Sequence, residues 1–131
     1  MSSSASASAP YFTVEPRSSV VRSAGTVSLL CTASSTASRH SVAESDEPTH
    51  HDMTITWTHN GVALDNQSAA VSSSSSSSSV SSRVYMSSFS HADEGLYQCI
   101  ANNSLGAVIS RPASLHLARQ FIVIFILLFQ L

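Results

Sequence analysis

The chain is predicted to be all β: two antiparallel sheets packed face to face and joined by one inter-sheet disulfide. Three observations predict this. Residues 93–106 read D-x-G-x-Y-x-C-x-A-x-N-x-x-G without a gap, placing Tyr97 two residues before Cys99. In two-sheet sandwiches a tyrosine so placed bonds its hydroxyl back to the chain just upstream and fixes the turn into the strand. The second observation is Cys31, at the end of Val-Ser-Leu-Leu-Cys, with the lone tryptophan, Trp57, between the two cysteines. The third is period-two alternation of apolar and polar residues, with no capped helical period over ten or more residues of the domain.

Taken in order, the first strand covers 11–15 and stops at Pro16, which lacks the amide hydrogen a ladder needs and suits a strand changing sheets. Val20 and Val21 open a short second segment. The next strand runs 26–33 with Val27, Leu29 and Cys31 on one face, and 53–59 follows with Ile55 and Trp57 facing the core. Asn60-Gly61 is a hairpin signal, because both residues tolerate positive φ, and Val62 and Leu64 begin the return. A strand over 83–88 points Val84, Met86 and then Phe89 inward. Strands over 95–102 and 108–117, joined by a turn ending at Gly106, close the domain, with Ala113, Leu115 and Leu117 inward.

The domain is assigned to 11–118, preceded by a Ser/Ala-rich disordered leader over 1–10 and followed by an apolar tail over 119–131. Two low-complexity insertions interrupt it. Residues 34–52, rich in Ser, Thr, His, Glu and Pro, push Trp57 to 26 positions after Cys31 and read as a solvated loop. Eight consecutive serines, 72–79, stand where a strand is due and read as a mobile loop.

Composition bounds the partners. Of 131 residues only 11% are charged, the formal net charge is −2, and the six cations are all arginine and unclustered. No basic field exists for nucleic acid or anionic lipid. The low charge reflects 31 serines. Two cysteines permit one intramolecular pairing, and closing so long a loop stabilises a fold by roughly 4 kcal/mol on the chain-entropy model. That pairing implies an oxidising compartment; the alternative is two buried thiols in a cytosolic sandwich of the muscle type. Met1 is followed by neither a basic stretch nor an apolar run, so the start is not a secretory signal. Residues 121–129, FIVIFILLF, would span about 14 Å as a helix, too short for a bilayer core of about 30 Å. A truncated membrane span, the tail of a lipid-anchor signal and a gene-model error are the three readings, and association with a membrane would come through segments of a longer chain.

Chemistry is sparse. His50, His51 and Asp52 cluster in the inserted loop, but no second ligand group at zinc spacing follows, so no metal and no cofactor is expected. No G-x-S-x-G elbow marks a nucleophile among the many serines, and no enzyme activity is expected. Asn66-Gln67-Ser68 and Asn102-Asn103-Ser104 match the N-glycosylation acceptor pattern. Asn66, in an exposed loop, is the better acceptor; Asn102 points away from the core, where a glycan would cap the last turn, whereas Asn103 is suited to backbone bonding within that turn.

Cys31, Trp57, Leu29, the D-x-G-x-Y-x-C block and Leu115-His116-Leu117 together resemble the I-set immunoglobulin family. More narrowly, Asp-Glu-Gly-Leu-Tyr-Gln-Cys with the segment 106–111, and Phe-Thr-Val-Glu-Pro at 12–16, are similar to the first immunoglobulin domain of the neogenin, deleted-in-colorectal-carcinoma and protogenin receptors. The resemblance implies a single-pass receptor with several immunoglobulin and fibronectin domains, acting in adhesion and axon guidance at the cell surface. In many such domains the residue equivalent to Asp93 pairs with an arginine; here Arg83 is the nearest candidate, and capping of local amides by Asp93 is the competing role. The expected function is non-catalytic protein recognition, heterophilic or homophilic, through a sheet face carrying Thr56, Thr58, Gln98, Ile100 and His116. The alternative is a structural spacer, extracellular or cytoskeletal, without its own ligand.

Overall fold

Alternation along the sequence becomes alternation of burial along each strand. A computed structural model describes residues 8–36, 53–65, 70–76 and 78–118. The strands are β1 (Tyr11–Val14), β2 (Ser19–Val21), β3 (Val27–Ser34), β4 (Thr54–His59), β5 (Val62–Ala63), β6 (Ala70–Ser75), β7 (Ser79–Met86), β8 (Gly95–Asn103), β9 (Gly106–Ile109) and β10 (Ala113–Leu117). A single 3-10 turn, His91–Asp93, precedes β8.

Two sheets result, one ordered β1-β3-β7-β6 and the other β2-β10-β8-β4-β5, with β9 pairing the far half of β8. All pairings are antiparallel except β2 with β10, which is parallel. That exception follows from Pro16: it is buried at the bend between β1 and β2, and the chain crosses there from one sheet to the other. Glu15 fixes the bend by accepting the Arg111 amide (2.8 Å), with the Arg111 guanidinium 3.5 Å from its other oxygen.

The core lies between the sheets. Leu29, Val84, Phe89 and Leu115 are fully buried there, each removal from water contributing about 1.5–3 kcal/mol. Cys31 on β3 and Cys99 on β8 form the predicted inter-sheet disulfide, Cα to Cα 6.6 Å. Trp57, opposite Cys99 on β4, packs beside it and donates its indole N–H to the Oγ of Ser82 on β7 (2.9 Å). Ser82 is itself opposite Cys31 and buried. One hydroxyl inside the core therefore satisfies the one polar atom of the tryptophan, an arrangement the sequence reading did not foresee.

The corner ahead of β8 is held by side chains. Tyr97 donates its hydroxyl to the Asp93 carbonyl (2.6 Å), as its spacing predicted. Asp93 accepts from the Ser90 amide (2.9 Å) and hydroxyl (3.3 Å), so it caps the 3-10 turn. Arg83 instead reaches Ser28 Oγ (3.4 Å), and the capping role prevails over the proposed ion pair. Asn60, at φ +53 in the predicted hairpin turn, accepts the Leu96 amide (2.9 Å) and donates its own amide to the Leu96 carbonyl (2.8 Å). Gly95 must be glycine: its φ is +137, and a Cβ there would lie 2.6 Å from Asn60 Nδ2.

Two expectations are corrected. The serine run is not a loop where it is described: Ser72 to Ser75 lie in β6, paired with β7 residues Arg83, Ser82, Ser81 and Val80, and Ser79 begins β7. Ladder bonds use main-chain groups, which serine carries like any other residue, and an edge strand has no need of apolar side chains on its open side. The strand read as 83–88 is accordingly longer at its start, adding Val80 and Ser82 to the core. Likewise residues 8–10 are not a free leader. Ser8 bonds Thr36 through its hydroxyl and amide, and its carbonyl accepts from Asn103 Nδ2 (3.2 Å), while Pro10 is buried. Most of the inserted loop, including His50, His51 and Asp52, lies outside the described residues, as do Asn66 and the apolar tail.

Candidate recognition face

The outward side of the sheet β2-β10-β8-β4-β5 is built by the same period-two rule that fills the core. Because Ile55, Trp57, Tyr97, Cys99, Ala101, Ala113 and Leu115 point inward, the residues between them point out. Register then sets the rows. Thr56 lies opposite Ile100, which lies opposite Ile109 on β9; Thr58 lies opposite Gln98; Leu96 lies opposite Ser114; and Val20 on β2 lies opposite His116.

The five residues expected on this face are brought onto it, but they are not equivalent. Thr56 and His116 are exposed, whereas Thr58, Gln98 and Ile100 are half-buried. Gln98 is tied down: its amide donates to the Ser110 carbonyl (2.9 Å) across the break between β9 and β10. That break is itself filled by Ser110, whose buried hydroxyl accepts the Cys99 amide (3.0 Å) and donates to the Arg111 carbonyl (2.9 Å). His116 Nε2 lies 2.7 Å from Ser114 Oγ. Gln98 and Ser110 thus hold the last strand in its two pieces and shape the face from beneath.

Sequence reasoning missed three apolar members. Ile109 is 55% exposed, Leu96 49% and Val20 67%. Val20 and Ile109 sit on short segments whose register was not legible, and register alone decides which side a strand residue faces; Leu96 lies on β8 two residues before Gln98 and shares its outward side. Ile100 and Ile109 are directly paired at one end, whereas Leu96 and Val20 lie toward the other end on strands separated by β10. No Asp, Glu or Arg occupies a residue of β2, β4, β5, β8, β9 or β10, so the face is electrically neutral. The other sheet's outer side mixes hydroxyls, a charge and aromatics: Thr32 and Ser81 hydroxyls lie 2.9 Å apart, beside Ser28, Arg83 and the β6 serines, with Tyr11 and Tyr85 exposed among them.

Behind the face, Glu94 joins several elements. Its carboxylate accepts the Leu117 amide (2.6 Å) and meets His91 Nδ1 (2.7 Å), and its carbonyl lies 2.7 Å from His59 Nε2. The His59 ring stacks on Tyr97 at 4.3 Å. Burial pushes the Tyr97 hydroxyl up to about 12, with the nearby Asp93 charge adding to the shift. These contacts brace strand ends. Among the described residues no group of three His, Cys, Asp or Glu side chains is placed to hold a metal.

Comparisons with known proteins agree with this architecture. Residues 9–103 match the family described as Immunoglobulin domain, which is not a catalytic one. Over 110 residues, 84% of this chain, the sequence is 35% identical to human "Cell adhesion molecule-related/down-regulated by oncogenes". The chain spans about 7% of the length of that relative. The relative is a cell adhesion molecule-related protein and carries a different name from the neogenin-type receptors that the 93–111 block resembles. Among solved structures, the tandem Ig repeats of Dlar superpose with TM-score 0.63 at 21% identity, covering 86% of this chain and 50% of that one. A chain of the complex of Dpr2 Ig1-Ig2 with DIP-Theta Ig1-Ig3 gives TM-score 0.65 at 15% identity, covering 84% of this chain and 32% of that one; both likenesses concern the fold. Among the described residues no helix is long and apolar enough to cross a membrane.

Proposed function

This chain belongs to the immunoglobulin domain family, and on that premise we propose that it is a non-catalytic, extracellular recognition module of a cell-surface adhesion or guidance receptor. The observation that carries the reading is the asymmetry between its two outer faces. One has no Asp, Glu or Arg on its strands and carries Ile100, Ile109, Leu96 and Val20; the other carries hydroxyls and Arg83 beside two exposed aromatics, Tyr11 and Tyr85. Exposed aliphatic groups on a flat, uncharged sheet suit a protein partner, because their burial supplies association energy without the cost of desolvating charge. They offer nothing to nucleic acid, whose binding needs cations. The Cys31–Cys99 bridge and the adhesion-molecule relative support an extracellular location. Similarity of the 93–111 block to the neogenin group supports the guidance form of the reading.

Cells displaying the full chain would be probed for aggregation with one another and for binding to a panel of secreted cell-surface ectodomains. Binding is expected to fall at least tenfold in Leu96→Arg and to persist in Tyr85→Arg, since Tyr85 is equally exposed on the opposite sheet. Binding lost only in Tyr85→Arg would move recognition to the opposite sheet and overturn the face assigned above, and binding absent for every ectodomain and for the chain itself would leave a spacer domain instead.

A further inference from the structure

Asn102 and Asn103 are adjacent carboxamides that the fold uses in opposite ways. Asn103 spends both ends on the backbone: Nδ2 donates to the Ser8 carbonyl (3.2 Å) and Oδ1 accepts the Leu105 amide (2.9 Å). Asn102 is exposed, and its bond from Thr54 Oγ1 (3.0 Å) engages the oxygen and not the nitrogen. Only Asn102 is followed at the second position by a hydroxyl residue, Ser104. It is also the next outward position after Ile100 on β8 and lies opposite Ala107 on β9, one outward position from Ile109. Steps of two residues along a strand are about 7 Å, within the span of one or two sugar rings.

We infer that Asn102 carries an N-linked oligosaccharide whose core lies along the Ile100–Ile109 pair and covers that end of the recognition face. The linkage forms when Nδ2 attacks the anomeric carbon of an N-acetylglucosamine carried on a lipid diphosphate. The N–C bond forms, the carbon–oxygen bond to phosphate breaks, the lipid diphosphate departs and the nitrogen loses one proton. Transfer precedes folding, so the structure decides where the sugar comes to rest. Ala107 leaves room on the β9 side, and the bond from Thr54 engages Oδ1, leaving Nδ2 out of that contact. The apolar face of a pyranose ring then has two isoleucines to rest on, a better surface than water. Protein contact is left to the other end of the face, around Leu96, Val20 and His116. The inference deepens the recognition reading and depends on its extracellular location.

The full chain, sent through the secretory pathway of animal cells behind an added leader, tests this directly. Trypsin separates the two acceptor positions, since Asn66 falls in the peptide 40–83 and Asn102 in 84–119, Arg111-Pro112 being resistant. Release by peptide N-glycosidase in heavy-oxygen water is expected to mark Asn102 as aspartate. Covalent footprinting of the intact glycoprotein is expected to label Ile100 and Ile109 severalfold less than after endoglycosidase trimming to one sugar, with Tyr85 unchanged in both. Asn102→Gln should match the trimmed protein. Trimming needs no substitution, so the comparison survives if that variant does not fold. A secreted, Cys31–Cys99-bridged chain that is bare at Asn102 overturns the inference while leaving the recognition reading intact. Equal labelling before and after trimming also overturns it.

Discussion

The corner before β8 and the serine edge at β6 sit in the same sandwich but are specified in different ways. At the corner, Tyr97, Asp93, Asn60 and Glu94 each spend a side chain on a named backbone atom, and Gly95 is demanded by both its φ and its neighbour. At the edge, Ser72 to Ser75 expose their side chains and hold β6 to β7 by the main-chain ladder. The first region fixes one geometry residue by residue; the second needs only a chain that can extend. Substitutions should therefore be expensive at the corner and nearly silent at the edge.

Gly95→Ala tests the corner most severely. It places a Cβ into Asn60 at a φ of +137, a conformation essentially restricted to glycine, and should cost on the order of 3 kcal/mol in denaturant unfolding. A loss below about 1 kcal/mol would show that the corner yields, and the contrast with the edge would shrink.

Tyr97 sharpens the contrast through pH. Its hydroxyl is held at about 12 against an ordinary value of 10.0. The proton-bound form is favoured in the folded state, so the contribution is complete below pH 10. It is then lost as the pH rises toward 12, because the unfolded chain gives up the proton first. At about 1.4 kcal/mol per pH unit, roughly 2–3 kcal/mol should disappear across that window. Tyr97→Phe should flatten this dependence and, by losing the bond to the Asp93 carbonyl, cost roughly 1 kcal/mol at neutral pH. Unfolding midpoints measured from pH 9 to 12 in both proteins decide the matter.

The smallest effect belongs to the edge. Ser72→Thr together with Ser74→Thr, both on the open outer side of β6, should move stability by less than about 0.5 kcal/mol in either direction. A larger loss would mean that the serine side chains carry specific contacts, and the distinction drawn above would fail.

The same difference explains what could be read in advance. Cys31, Trp57, Tyr97 and the Asn60-Gly61 turn announce themselves because each does something only its residue type can do. Their places in the fold followed. β6 was invisible, since a run of one polar residue has no period, and with it went the start of β7 and the inward role of Ser82. Ile109 and Val20 were missed for a related reason: the last strand breaks at Ser110 and the first bends at Pro16. A break resets the parity by which alternation is counted. The residues expected to point outward from β4, β8 and β10 do so, and the outward apolar residues beside them were not counted.

The parallel pairing of β2 with β10 has a mechanical corollary. Tension passed along the chain through Ser18 and Ala118 pulls these neighbours past each other lengthwise, so their ladder bonds share the load and must yield together instead of opening one by one. The bond from Leu117 to Glu94 lies on the same line of force. A domain tethered at both ends would resist stretching along that seam, while its broad sides stay available for contact.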